Sequence, residues 1–378
     1  MKSLNIPYNP RLDQLRWLAA TIVFLFHFHM EYRGLAGGGL TSPWWGIVTE
    51  GHTGVGLFFT LSGFLFMQIA LHQKVIVYRD FVRNRFLRIF PLFLVVFMLA
   101  TSISRDTFEP ADVLYLLATN LGLSPTSDTV ITGAAWTISL EFTFYLMFPF
   151  IARFAMERGM SYLGGLMVLM LFFKVAAFTV NEKSTLMYFS TFVGRFDQFL
   201  IGMVAALAFA RCREGLAKAA PVLVPAALLL AVANSAWQAR FAPFIASSHS
   251  ELWIVWPMIE SAVWALVIVS WVSFDKRLPH WLDRALVHGG KISFSFYLLH
   301  MAVLHVLVQR VGLVQLTGSA LGDAGIMFAG AYGATWALSA LSYNVIEEPF
   351  LRMRRAYGAV SQGTVPEGER PPKLVKTR

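Results

Sequence analysis

Residues 11–29 read RLDQLRWLAATIVFLFHFH, and this stretch sets the fold class of the chain. Three charged side chains, Arg11, Asp13 and Arg16, precede ten mostly apolar positions, 17–26, which end at His27. With its neighbours up to residue 31, the run reaches the length of about 20 residues that a helix needs to cross a bilayer. The stretch therefore predicts a membrane span with a histidine inside it.

The composition of the whole chain supports the same class. Of 378 residues, 56% are hydrophobic and only 14% are charged, whereas soluble domains carry about 25% charged residues. The sequence therefore predicts an all-α polytopic membrane protein of about ten transmembrane helices. Its candidate spans lie at about 12–31, 52–71, 88–104, 134–152, 160–180, 195–210, 219–236, 252–273, 291–311 and 324–346. A shorter apolar segment, 111–123, is expected to form an interfacial or re-entrant helix.

Basic residues are distributed unevenly between alternate loops. With the N-terminus in the cytoplasm, 24 of the 31 lysines and arginines lie on the cytoplasmic side, six lie outside, and Lys174 lies within a span. Cytoplasmic loops carry this excess in membrane proteins, so both termini are predicted to be cytoplasmic. The net charge of +9 is spread over these loops, and we expect no nucleic-acid partner. Residues 1–355 are predicted to form one transmembrane domain, and 356–378 a disordered cytoplasmic tail.

Two residues of the first helix suggest a reaction site. Arg16 and His27 are eleven positions apart, or about three turns, so they share one helix face with about 16 Å between them. Glu141, in WTISLEFTFYLMFP (136–149), is predicted at the depth of His27. A paired carboxylate can orient an imidazole as a general base. The alternative is that each is a packed polar residue with a structural hydrogen bond.

Arginines after the second span suggest a phosphate site. Arg85 and Arg88, three positions apart in RDFVRNRFLRIFPLF (79–93), share a helix face at the same side of the membrane as Arg16. Guanidinium groups offer planar pairs of donors that suit phosphate oxygens. The alternative is that they only hold the loop in the cytoplasm. Further polar residues within predicted spans are candidates for substrate contact or for structural support: Ser62, Arg195, Asp197, Glu260, Tyr297 and His300. For Arg195 and Asp197, an outer substrate rim and a local ion pair remain equal alternatives.

Seven segments, in this order, resemble the acyltransferase-3 family of polytopic membrane acyltransferases. They are LDQLRWLAATIVFLFH, GLFFTLSGFL, RFLRIFP, WTISLEFTFYLMFP, GRFDQFLIGM, FSFYLLH and IEEPF, and the resemblance covers about residues 10–355. It implies ten membrane helices with both termini inside, acetyl-CoA as the cytoplasmic donor, and a hydroxyl acceptor, most often on a carbohydrate. The family's Arg–His pair, its Arg-x-x-Arg motif and its glutamate of the fourth helix match Arg16 with His27, Arg85 with Arg88, and Glu141. A glycine common in the family is Gln14 here.

A mechanism follows as an expectation from this resemblance. Arg16, Arg85 and Arg88 would bind the phosphates of coenzyme A, and His27, oriented by Glu141, would remove the acceptor's proton. Ser62 or Tyr297 would stabilise the oxyanion, and no metal is expected. The acceptor would be a carbohydrate such as an O-antigen or exopolysaccharide unit, either free or lipid-linked, and the protein would lie in a bacterial inner membrane. Two alternatives remain open: an exporter or flippase of a lipid-linked saccharide, and an acyltransferase for a small molecule such as a macrolide.

Overall fold

The computed structural model describes residues 5–109, 112 and 136–357, and its regular elements in these ranges are helices. Nine of the helices are long: α1 Pro10–Ala36, α2 Thr53–Gln73, α3 Tyr78–Ile103, α4 Trp136–Arg158, α5 Met160–Val180, α6 Phe192–Phe241, α7 Leu252–Val272, α8 His280–Val306 and α9 Ala320–Ser342. Short helices include Gly46–Thr49, Ser184–Ser190 and Glu348–Leu351. The predicted all-helical fold is confirmed for the described residues.

Local sequence sets both ends of α1. The side chain of Asn9 accepts a hydrogen bond from the backbone N–H of Arg11 at 3.0 Å, and Pro10 occupies the first turn, where its missing N–H costs nothing. At the other end Gly37 adopts φ of 68°, the left-handed conformation that closes a helix. The helix therefore extends beyond the predicted 12–31 at both ends.

Helices α2 to α9 are each long and apolar enough to cross a membrane. Helix α5 shows its lipid-facing character most plainly, because Val168, Phe172 and Val180 are 69%, 65% and 83% exposed. Water would penalise such a surface, whereas hydrocarbon does not. Together with α1, whose ends carry its charges, these helices form the body of an integral membrane protein.

Helix α6 is two antiparallel spans joined at a kink. It has 50 residues, or about 75 Å of helix, and Cys212 has non-helical backbone angles of −113° and 18°. Gln198 donates to the carbonyl of Pro257 at 3.2 Å, and Trp237 stacks at 5.1 Å on Trp256, the residue before that proline. The chain must therefore reverse at Cys212, and the predicted spans 195–210 and 219–236 are its two arms. With this division the helices amount to the predicted ten segments.

Close backbone contact joins α2 to the first arm of α6. A Cβ added at Gly63 would lie 2.0 Å from the carbonyl oxygen of Phe199. One added at Gly202 would lie equally close, at 2.0 Å, to the carbonyl oxygen of Thr60. Only glycine fits at these positions, and helices that approach so closely are common in membranes. The contact holds Ser62, next to Gly63, at a fixed depth in the bundle.

Some predictions concern residues near the limits of the described chain. The expected helix at 111–123 lies outside the described residues except for Asp112, and residues 358–378 of the predicted tail also lie outside them. Tyr357, which was assigned to the tail, is buried to 1% exposure and donates its backbone N–H to the side chain of Asn5 at 2.7 Å. The C-terminal strap, residues 354–357, therefore packs against the N-terminal segment.

Candidate active site

A cavity of about 210 Å³ opens between α1, α2, α3, α4 and α8, at the end of the bundle where α1 begins. Cationic side chains from three helices and the C-terminal strap line it: Arg16, Arg85, Arg88, Lys291 and Arg354. Uncharged polar groups and two carboxyl groups line it as well, among them Ser62, Thr137, Tyr145, Tyr297, Asp13 and Glu141. The structure thus brings six predicted site residues into one cavity: Arg16, Ser62, Arg85, Arg88, Glu141 and Tyr297.

Arg16 is held by its own helix. Its Nη1 lies 2.6 Å from Oδ1 of Asp13, one turn earlier, and the phenol of Tyr8 donates to the other carboxylate oxygen of Asp13 at 2.7 Å. The Arg16 side chain remains 28% exposed. A guanidinium has five N–H donors, so the Asp13 contact at Nη1 leaves others to face the cavity.

Arg85 lies inside an aromatic cage. Its guanidinium carbon is 5.0 Å from the ring centre of Phe66, 5.7 Å from those of Phe81 and Tyr357, and 5.8 Å from that of Tyr145. The guanidinium also donates to the phenol of Tyr357. Within the described part of the chain its buried Nε has no hydrogen-bond partner. Because a buried N–H without an acceptor is costly, this group is suited to receive an anionic ligand.

Two further arginines belong to the same charged region. Arg88 lies 3.5 Å from Glu347, a carboxylate that is 1% exposed and also accepts a hydrogen bond from Ser295. Burial, followed by repulsion from Arg85 and Arg88, lowers the pKa of Arg354 to about 10. Cations that destabilise one another gain stability when an anion binds between them. This end of the cavity therefore carries clustered positive charge that suits an anion.

Glu141 faces the same cavity from α4. Its Oε1 accepts from the hydroxyl of Ser62 on α2 at 3.1 Å and from the phenol of Tyr145, one turn further along α4. Nearby, Thr137 donates to the phenol oxygen of Tyr297 at 3.0 Å. The inner part of the cavity thus joins a carboxyl group to a set of hydroxyl groups.

His27 has partners other than the expected Glu141. Its Nδ1 lies 3.0 Å from the carbonyl oxygen of Val23 and 3.0 Å from Nε2 of His300 on α8. His300 is 1% exposed, and its Nδ1 lies 2.6 Å from the carbonyl of Tyr297, whose side chain lines the cavity. The predicted pairing is therefore corrected: depth in the membrane placed His27 and Glu141 at one level, but the rotation of the helices gives each different neighbours.

The remaining predicted candidates form a separate, buried cluster. Arg195 pairs with Glu260 at 3.4 Å, and Asp197 pairs with Lys174 of α5. All four side chains are at most 1% exposed. Of the two alternatives, the structure supports the ion pair, although the partners come from other helices. A substrate rim is the wrong interpretation for these residues, because they are enclosed between α5, α6 and α7.

Sequence reasoning missed several residues of the cavity. The sequence places Arg354 and Lys291 only among the 24 basic residues of the predicted cytoplasmic side. Tyr357 fell in the predicted tail. The segment FLRMRR (350–355) did carry a signal in its density of positive charge, but nothing local in it indicates that the chain returns to α3.

Comparisons with known proteins indicate an acyltransferase. Residues 9–341 match the sequence model of a family described as an acyltransferase domain. The chain is 28% identical to the acyltransferase MdmB of Streptomyces mycarofaciens over 402 aligned positions, which cover 97% of this chain and 98% of that protein. No solved structure matched the chain.

Proposed function

Since the chain belongs to the acyltransferase-3 family and is a membrane acyltransferase, we propose that it moves an acetyl or other short acyl group from coenzyme A to a hydroxyl. The observation that carries the proposal is the cavity itself. Cations surround its mouth, and Glu141, Ser62 and Tyr297 line its interior. Coenzyme A has an anionic head, which suits the cations, and a long neutral arm, which suits the less charged interior.

The cationic mouth supports coenzyme A as the donor. The phosphates would bind Arg16, Arg85 and Arg88, of which Arg85 has a buried N–H without an acceptor in the described chain. Charge-assisted hydrogen bonds of this kind contribute about 1.5–3 kcal/mol each. The pantetheine arm would extend into the cavity between α1, α2 and α4 and carry the thioester inwards.

Acyl transfer then requires a base and an oxyanion donor. His27 would take the proton of the acceptor hydroxyl while the oxygen attacks the thioester carbonyl carbon. The carbon–sulfur bond then breaks, and the thiolate of coenzyme A leaves. Ser62 and Tyr297 line the cavity and each carry an O–H that could donate to the developing oxyanion. General-base help of this kind is worth about 10²–10⁴-fold in rate.

For the acceptor we propose a hydroxyl of a carbohydrate, such as an O-antigen or exopolysaccharide unit, either free or attached to a membrane lipid. His27 lies about 16 Å from Arg16 along α1, towards the far end of the bundle. The donor and the acceptor would thus approach from opposite sides. With both termini in the cytoplasm, the donor would bind at the cytoplasmic face of a bacterial inner membrane, and no metal would take part.

The test is release of free coenzyme A from acetyl-CoA by the purified protein in proteoliposomes, with crude envelope glycans as the acceptor. Wild type should release coenzyme A, and His27→Ala should lose at least about 100-fold in rate, the lower end of the range for a lost general base. Arg153→Ala, a highly exposed position on α4, is the matched control and should retain the wild-type rate.

Failure of the wild type to consume acetyl-CoA or other short acyl-CoAs would contradict the proposed donor. Efflux of a saccharide without thioester consumption would favour the exporter alternative. If wild type and His27→Ala released coenzyme A equally fast, the transfer would stand but another residue would be its base.

A further inference from the structure

We propose that His300 is a positioning residue that fixes the proton of His27 on Nδ1 and so leaves Nε2 of His27 as the basic atom. The proposal rests on the proposed function for the role of His27 as the base. Its structural part stands on hydrogen-bond geometry and can be tested without any substrate.

The first step concerns His300. Its Nδ1 lies 2.6 Å from the carbonyl oxygen of Tyr297. A carbonyl oxygen can only accept, so Nδ1 of His300 must carry a hydrogen. A neutral imidazole carries one such hydrogen, and Nε2 of His300 is then a bare acceptor.

The second step passes this constraint to His27. Its Nδ1 faces two groups at 3.0 Å, the carbonyl oxygen of Val23 and Nε2 of His300. Both groups are acceptors, so Nδ1 of His27 must be the donor and shares one hydrogen between them. The hydrogen of neutral His27 is therefore on Nδ1, and Nε2 holds a lone pair that can take a proton.

The opposite arrangement conflicts with the same contacts. If Nε2 of His300 donated to His27, Nδ1 of His27 would present a lone pair that also faced the Val23 carbonyl at 3.0 Å. His300 would then carry hydrogens on both nitrogens and a positive charge while it is 1% exposed beside Phe24, a ring 6.2 Å away. An unpaired buried charge is costly. The neutral pair avoids both penalties.

His300 adds something that Val23 cannot supply. Val23 is one turn before His27 on α1, so its carbonyl moves with the ring and belongs to the same helix. His300 projects from α8 and fixes the ring relative to a second helix. When Nε2 takes the proton of the acceptor hydroxyl, Nδ1–H keeps both acceptors, which stabilise the positive ring until it returns the proton to the leaving thiolate sulfur.

The direct test is the ¹⁵N spectrum of histidine-labelled protein in lipid, because protonated and bare ring nitrogens have well-separated shifts. The spectrum of His27→Ala assigns the signals of His27 among the nine histidines. In wild type we expect a protonated Nδ1 and a bare Nε2 for His27. In His300→Leu we expect a mixture of the two tautomers. His305→Leu, a histidine further along the same helix, is the control and should leave the His27 signals unchanged.

Kinetics give the second readout, with acetyl-CoA and crude envelope glycans as the probe. His300→Leu should lower kcat by roughly 10–100-fold, by analogy with the loss of a group that orients a metal-bound histidine. The KM for acetyl-CoA should be unchanged. His300→Gln can place an amide oxygen where Nε2 accepts and should recover part of kcat. A purely structural role would lower the amount of folded protein instead, with no recovery by glutamine in particular.

The outcomes separate the two proposals. A proton on Nε2 of His27 in wild type, or an unchanged His27 spectrum in folded His300→Leu, would overturn the positioning role. Full activity in His27→Ala would instead overturn the base of the proposed function, whatever the spectra show. Mixed tautomers together with a fall in kcat would support both.

Discussion

At the scale of single residues, aromatic rings and a phenol fix the position of the Arg85 guanidinium inside the bundle. Four aromatic rings within 5.8 Å hold its guanidinium carbon. A hydrogen bond to Tyr357 ties it to the C-terminal strap. These contacts restrict the side chain, so the proposed phosphate would bind with a smaller loss of conformational entropy. The cage selects arginine over lysine, because a flat guanidinium packs on rings and forks towards two oxygens.

Substitution of Arg85 should therefore act on donor binding. We expect Arg85→Ala to raise KM for acetyl-CoA by roughly tenfold or more, since a charge-assisted hydrogen bond contributes about 1.5–3 kcal/mol. Arg85→Lys should recover only part of this loss, because a point charge replaces the fork. Initial rates of coenzyme A release at varied acetyl-CoA measure both. Equal KM values in wild type and folded Arg85→Ala would argue against phosphate binding here.

At the scale of helices, the bundle is joined by charged pairs as well as by apolar packing. Lys174 of α5 and Asp197 of α6 are both 0% exposed and pair with each other, beside the Arg195–Glu260 pair. Each charge alone would be expensive at this depth. The pairs therefore fix which face of α5 meets α6, and they account for four charged residues outside the reaction site.

Replacing one partner of the Lys174–Asp197 pair should reduce stability more than replacing both. Lys174→Met leaves Asp197 buried and unpaired, and we expect a loss of about 3–5 kcal/mol in the free energy of unfolding. The double variant Lys174→Met with Asp197→Leu should recover most of that loss, because no uncompensated charge remains. Thermal unfolding in detergent compares the three proteins. If both single and double variants lose activity without losing stability, the cluster has a functional role that the ion pairs do not explain.

At the scale of the whole molecule, two sets of polar residues lie at different ends of one bundle. The cations line the end where α1 begins, and His27 lies about 16 Å further along the same helix. In the proposed function the donor enters through the cationic mouth from the cytoplasm. The proposal therefore requires that the mouth faces the cytoplasm. The uneven distribution of Lys and Arg predicts that orientation, with the kink of α6 on the same side.

The single cysteine of the chain makes this orientation measurable. Cys212 is exposed at the kink of α6, so a membrane-impermeant maleimide should label it in inside-out vesicles and not in right-side-out vesicles. Cys212→Ser should remove the label altogether. Ala246→Cys in that background lies in the exposed segment before α7 and should show the reverse pattern. Labelling of Cys212 only from outside would invert the predicted topology.

Much of the fold follows from the sequence by itself. The length of an apolar run determines whether it can span, so most spans could be placed to within about six residues, and the two arms of α6 were separated by the polar stretch around Cys212. Helices α3 and α8 instead begin at Tyr78 and His280, well before the predicted 88 and 291, because their first turns are polar.

Spacing along one helix is equally local, and it put Arg85 and Arg88 on one face of α3. The order of the spans then predicted Arg16 at the same side of the membrane. These properties depend on neighbours in the chain, which is why one sequence suffices for them.

Contacts between helices were decided only by the tertiary structure. His27 meets His300 across 273 positions of sequence, and Ser62 meets Glu141 across 79. Hydropathy reports the depth of a residue but not the rotation of its helix or the identity of the neighbouring helix. Those depend on packing, such as the contact at Gly63 that sets α2 against α6. The sequence alone thus determined which polar residues lie within the membrane, and the packing of the helices decided which of them meet.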